Sequence, residues 1–180
     1  MIKPALFACL FSLVVTPLAV AQTKPVDKTT IIRSLAPMTY LPQHSGQLRA
    51  IDLDIEFKLG STDLTARARR QLDIVARALK DQQLVAEQIM VIGHTDASGP
   101  AAQNMTLSDR RAKVVRDYLV KQGGVQAQRL KPEGQGETRL KNPMAPASGE
   151  NRRVEFVLIQ SANDGRTRRG KAGSEKVIKW

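Results

Sequence analysis

The sequence predicts an α/β (α+β) fold, a single mixed β-sheet with two helices packed on one face in the order β-α-β-α-β-β. Three observations carry that expectation. Apolar residues alternate at period 2 between Ala50 and Lys58, they change to helical spacing in two later segments, and the domain closes in a continuous apolar run from Val154 to Ile159. With 180 residues, 42% of them hydrophobic, the chain can bury one core of ordinary size and has no room for a second full domain.

Residues 1–21 read as a secretory signal peptide. Lys3 supplies a basic n-region, Ala5 to Val15 a short h-region, and Ala19-Val20-Ala21 a cleavage site before Gln22. The apolar run is too short to span a bilayer, which needs about 20 residues, and Pro17 interrupts it. Cys9, the one cysteine of the chain, falls in the h-region, so no disulfide or thiolate metal site is expected after export. Leu6-Phe7-Ala8-Cys9 faintly resembles a lipoprotein box, but acylation there would leave almost no apolar segment ahead of the cysteine.

Residues 22–48 contain Pro25, Pro37 and Pro42 without a sustained period of either kind, and read as a linker or extended arm. On that reading, a fragment from about Ser45 to Ser161 holds every periodic apolar segment and folds alone. The domain itself is expected over 49–160. In its first strand Ile51, Leu53, Ile55 and Phe57 alternate with Asp52, Asp54, Glu56 and Lys58. After Gly60-Ser61, the residues Leu72, Val75, Ala76 and Leu79 fall at i, i+3, i+4 and i+7, which predicts a helix from about Thr65 to Gln82.

Ile89-Met90-Val91-Ile92 meets Gly93 as a central strand covered on both faces would. Ser98-Gly99-Pro100 suits a helix start, and Leu107, Val114, Val115, Tyr118 and Leu119 keep helical spacing until Gly123-Gly124, so the second helix spans roughly Ala101 to Gln122. Arg129 to Gln135 makes a short strand broken by Pro132, and Gly136 to Glu150 a long loop. The tail, 161–180, carries Arg166, Arg168, Arg169, Lys171, Lys176 and Lys179 with little apolar matter, and is expected to be disordered on its own.

The formal charge of +11 becomes +10 once Lys3 leaves with the signal, a balance that favours polyanionic partners. Export excludes nucleic acid, leaving anionic membrane surfaces, for which the basic tail is suited, and phosphate-rich envelope polymers.

Gly93 to Gly99 stands between a buried strand and a helix, where ligand-binding groups of open α/β sheets gather. There Asp96 has turn and helix N–H groups at hand to keep its carboxylate ionised. On the helix Asn104, Leu107, Ser108 and Arg111 share one face, so Arg111 can point back toward Asp96. A carboxylate and a guanidinium on one groove suit a zwitterionic ligand, such as an amino-acid centre. An Asp96–Arg111 ion pair tying the turn to the helix fits the same spacing equally well. Spacing alone does not separate the two.

Neither a metal nor a cofactor is expected. His94 and Asp96 lack a third ligand nearby, His44 lying in the arm, and His94 is better read as packed or hydrogen-bonded at the turn. An enzyme is not expected either, since no second acid faces Asp96 and Ser98 and Ser108 lack a nucleophile elbow.

The run GHTDASGPAAQNMTLSDRRAKVVRDYL, with IEFKLGSTDLTARARRQLD ahead of it and NRRVEF after it, resembles the OmpA-like C-terminal domain family over about Ala50 to Ile159. The resemblance implies a β-α-β-α-β-β peptidoglycan-binding domain. It also implies that Asp96 and Arg111 bind the amine and carboxylate of meso-diaminopimelate in the peptide stem, with Thr95, Asn104 and Leu107, and further Phe57 and Arg152, as supporting contacts near the same groove. The implied partner is diaminopimelate-containing peptidoglycan, and the implied place is the periplasm, against the wall or at the outer membrane. An alternative kept open is a wall-docking subunit of a larger envelope machine, a secretion system or a motor stator, whose other envelope proteins would meet the arm or tail.

Overall fold

A computed structural model describes residues 24–36, 49–58 and 61–159. The signal peptide, Cys9, His44 and the basic tail lie outside the described residues.

The elements are α1 (Lys28–Leu35), β1 (Ala50–Leu53), α2 (Ala66–Leu79), β2 (Gln88–His94), α3 (Ala101–Lys121), β3 (Leu130–Gly136) and β4 (Val154–Ile159). The strands form one sheet in the order β1-β4-β2-β3. It is mixed, because β2 and β3 run parallel across the α3 crossover while β4 is antiparallel to both β1 and β2. Pro132 is tolerated because β3 is an edge strand and needs no ladder N–H there. The period-2 segment is a regular strand only as far as Leu53, but its alternation continues, with Ile55 buried and Phe57 bridged to Leu64.

The sheet's helix-facing side carries Ile89, Val91, Val154, Phe156 and Leu158, packed against Leu72, Val75 and Leu79 of α2 and Val115 and Leu119 of α3. Two strand glycines in register, Gly93 and Gly134, let α3 lie unusually close to this face. A Cβ on Gly93 would stand 2.3 Å from the Ser108 carbonyl oxygen, and one on Gly134 2.4 Å from the Asp109 nitrogen, so any larger residue would push α3 away. Ser108 locks the approach by accepting the Gly136 N–H at 2.8 Å.

The arm departs from its expected extended form. Residues 28–35 form α1, capped by Asp27, whose carboxylate accepts the Thr30 N–H at 3.0 Å, and Ile31 and Leu35 are fully buried in the main core. Gln71 of α2 holds the approach to this helix with its side-chain amide, accepting from Val26 N at 2.7 Å and donating to Val26 O at 3.0 Å. Arg49 donates to the carbonyls of Arg33 and Ser34 at the helix end. Three helices, not two, therefore cover the sheet, and a fragment starting near Ser45 would bare the apolar face on which α1 sits.

Candidate functional site

β2 ends at His94 and α3 starts at Ala101, and the connection between them is held from three sides. Thr95 N–H donates to Gly136 O at the end of β3 (2.9 Å), Ala97 N–H donates to Pro146 O in the long loop (3.0 Å), and the Asn104 amide of α3 donates to Asp96 O (3.2 Å). Pro146 is itself fixed by Asn151, fully buried, whose amide donates to Ala145 O and Pro146 O and accepts the Asn142 N–H. The long loop is thus a rigid wall of the site.

This frame positions the Asp96 carboxylate. One oxygen accepts the Ser98 N–H at 3.0 Å, and the other accepts Nη1 of Arg152 at 2.7 Å. Burial pushes the carboxyl's pKa up, but the Arg152 contact and the Ser98 N–H outweigh it and hold Asp96 below the ordinary carboxylate range. Asp96 is therefore an anion, shielded from water, with lone pairs still open.

Arg111 is buried two turns along α3 from Asn104. Its Nε and Nη2 donate to the Ser61 carbonyl at 3.4 and 3.3 Å, and its guanidinium lies 4.8 Å from the centre of the Phe57 ring. Among the described residues no carboxylate is within ion-pair distance of Arg111. Burial, then repulsion from Arg152, makes its proton easier to lose, with Asp96 opposing both. A guanidinium has five N–H donors, so one shared carbonyl leaves this one short of acceptors in a place that water reaches poorly.

Arg111, Arg152, Phe57 and Gly149 help to line a cleft of about 420 Å3 at the carboxyl end of β2. Glu56 and Asp54 also border it, but both pair with Arg67 of α2. What remains unpaired is the Arg111 guanidinium, in a cleft beside the ionised Asp96. Such a cleft can hold a zwitterion by two oriented charge-assisted contacts.

Of the residues singled out from the sequence, Asp96, Arg111, Phe57 and Arg152 come together here. Asn104 instead spends its amide on Asp96 O and on Glu137 (2.6 Å) and fixes the loop from behind. Thr95 contributes its backbone, and its hydroxyl is buried without a partner among the described residues. Leu107 lies on the outer flank of α3 beside Gln103 and Thr106, away from the cleft. The Asp96–Arg111 ion pair that spacing allowed is absent among the described residues, and Arg152 takes that place. The sequence did not single out Asn151 or Gly149 as site residues; Asn151 stood there only as the first residue of the NRRVEF run. His94 is buried and hydrogen-bonded through Nε2 to Glu155 (3.1 Å), on the far side of the sheet from α3.

The fold is a mixed sheet roofed by helices, with a fixed carboxylate and an acceptor-poor guanidinium at its strand ends. The OmpA family model matches residues 56–154, and the chain belongs to the OmpA family. That family comprises binding and anchoring proteins, not enzymes. The chain is 41% identical over 114 residues to a peptidoglycan-associated lipoprotein of Pseudomonas aeruginosa, covering 61% of this chain and 63% of that one. It is 36% identical over 110 residues to outer membrane protein A of Bordetella avium, covering 60% of this chain and 55% of that one. The chain thus spans less than two thirds of either relative's length. Among solved structures, the cell wall anchor of the T6SS from Pseudomonas aeruginosa aligns at 28% identity with a TM-score of 0.51, over 62% of this chain and 81% of that one.

Proposed function

We propose that this domain binds peptidoglycan non-covalently through the meso-diaminopimelate of its peptide stem. The observation that carries the reading is the buried guanidinium of Arg111, facing a cleft beside Asp96 with no carboxylate of its own. The free amino-acid centre of diaminopimelate has an ammonium and a carboxylate on one carbon. Its carboxylate meets Arg111 over the Phe57 ring, and its ammonium meets Asp96. Thr95 and Asn104 serve by holding the Asp96 loop, and Leu107 lies outside the contact. The peptidoglycan-associated relative and the wall anchor support the polymer as the partner.

In this reading residues 1–21 direct export, and the domain works in the periplasm, against the wall and near the outer membrane. The basic tail 161–180 adds attraction to an anionic membrane surface. Likeness to the secretion-system anchor favours a second, compatible role as a wall-docking subunit, with the remaining chain meeting its envelope partners. α1 is unsuited to that contact through Ile31 and Leu35, because the core already occupies them.

Calorimetry with the tripeptide L-Ala-γ-D-Glu-meso-diaminopimelate tests the assignment. Asp96→Ala and Arg111→Ala each leave one ligand charge unpaired and are expected to cost about 2–5 kcal/mol of binding while the fold is kept. Undiminished binding by both variants would sink it.

A further inference from the structure

Asp96 already has a cationic partner within the chain. Arg152 donates to its Oδ2 at 2.7 Å, where the ammonium of a zwitterion has to arrive. The two partners differ in freedom: the Asp96 side chain is 11% exposed and fixed by Ser98, whereas that of Arg152 is 54% exposed. Arg152 also lies close enough to Arg111 to repel it, with both guanidinium groups at the one cleft. Gly149 makes room for this posture, since a Cβ there would stand 2.9 Å from Nη2 of Arg152.

We propose that Arg152 is a specificity-determining placeholder, which occupies the ammonium position on Asp96 until a ligand bearing both an ammonium and a carboxylate on one carbon exchanges with it. The inference rests on the diaminopimelate reading above and deepens it. On binding, the ligand ammonium takes over Asp96, and the released guanidinium joins Arg111 on the ligand carboxylate. Every charge is then paired: one anion holds the ammonium, and two cations share the carboxylate. An amine without that carboxylate can also push Arg152 off Asp96. It then leaves two guanidinium groups facing each other with no anion between them, so the exchange is unfavourable. Discrimination thus comes from an internal competitor as well as from ligand contacts.

The test uses two tripeptides, L-Ala-γ-D-Glu-meso-diaminopimelate and L-Ala-γ-D-Glu-L-Lys, titrated into the unaltered protein and two variants. The unaltered protein is expected to prefer the diaminopimelate peptide. Arg152→Ala removes competitor and second carboxylate ligand together, so the lysine peptide binds more tightly, the diaminopimelate peptide more weakly, and their ratio falls by about tenfold or more. Gly149→Ala would set a Cβ 2.9 Å from Nη2 of Arg152, so the guanidinium has to shift against Asp96 while its charge stays; the lysine peptide is expected to gain and the diaminopimelate peptide not to lose. An unchanged ratio in Arg152→Ala, or no gain for the lysine peptide in either variant, overturns the placeholder role and leaves the diaminopimelate site standing. Failure of the unaltered protein to bind either peptide overturns both.

Discussion

Arg152 and Arg153 are neighbours in the chain and both border the cleft, but their guanidinium groups take different partners. Arg152 reaches into the cleft and pairs with Asp96 while more than half exposed. Arg153 also borders the cleft, but its side chain is turned to the back of the sheet, 10% exposed, and donates to Asp52 at 2.9 Å and to the Arg139 carbonyl at 3.3 Å. Around it Lys141 also approaches Asp52, and His94 and Arg139 approach Glu155, the cross-strand partner of Asp52. The back network meets the needs of its acids within the chain. The cleft keeps Arg111 short of acceptors and leaves Asp96 on a partner that is more than half exposed. Both regions contain the same residue types, so density of charge says little about function. The informative feature is pairing that the chain leaves incomplete.

That contrast makes exchangeable predictions. The largest effect belongs to the cleft. Arg111→Ala should lose about 2–5 kcal/mol of tripeptide binding with its thermal midpoint nearly unchanged, whereas Arg153→Ala should bind normally. A variant of each kind showing the reverse pattern in calorimetry and thermal melts would break the comparison. A core change calibrates the stability scale: Leu35→Ala, which empties a fully buried position on α1, should cost about 2–5 kcal/mol in urea unfolding. An unchanged midpoint there would mean that α1 is not part of the folding unit. Next in size, Arg153→Ala should cost about 1–3 kcal/mol of stability, because it removes donors from Asp52 and from the Arg139 carbonyl.

The smallest effect is one of pH; its sign is the same in the two regions and its window differs. Burial, reinforced by Arg153, holds His94 below the ordinary histidine value, with Glu155 opposing. The unfolded chain then takes up this proton more readily than the folded one. Stability is thus full above about pH 6.5 and falls as pH drops from there toward the folded value. Asp96 is also depressed, so its contribution is present above about pH 3.9 and is lost only as pH falls further, through its folded value. Between pH 7 and 5 the melting temperature should therefore decline while tripeptide affinity of the folded protein holds. His94→Gln should flatten the melting trend. A parallel loss of affinity and stability over that range would show that the two regions titrate together.

Much of this molecule is legible from local pattern. The change from period 2 to helical spacing located β1, α2 and α3, the apolar run at 154–159 located β4, and Gly93 to Pro100 marked the strand-to-helix connection where the site lies. These signals are local, because a strand or helix shows its buried face in every second residue or every third and fourth. α1 escaped because eight residues with Ile31, Ile32 and Leu35 make too short a stripe to register, and its burial depends on Gln71 and the α2 face, distant in sequence. The sequence also put Asp96 and Arg111 within reach of one groove. Only the tertiary structure decided that Arg152, 56 residues beyond Asp96, takes its carboxylate, that Asn104 and Asn151 brace the loop, and that Arg111 is left with a carbonyl and an aromatic ring. Charges choose partners by distance and burial after the chain has closed. Spacing along the sequence sets which face a residue takes, and not which of several opposite charges arrives first.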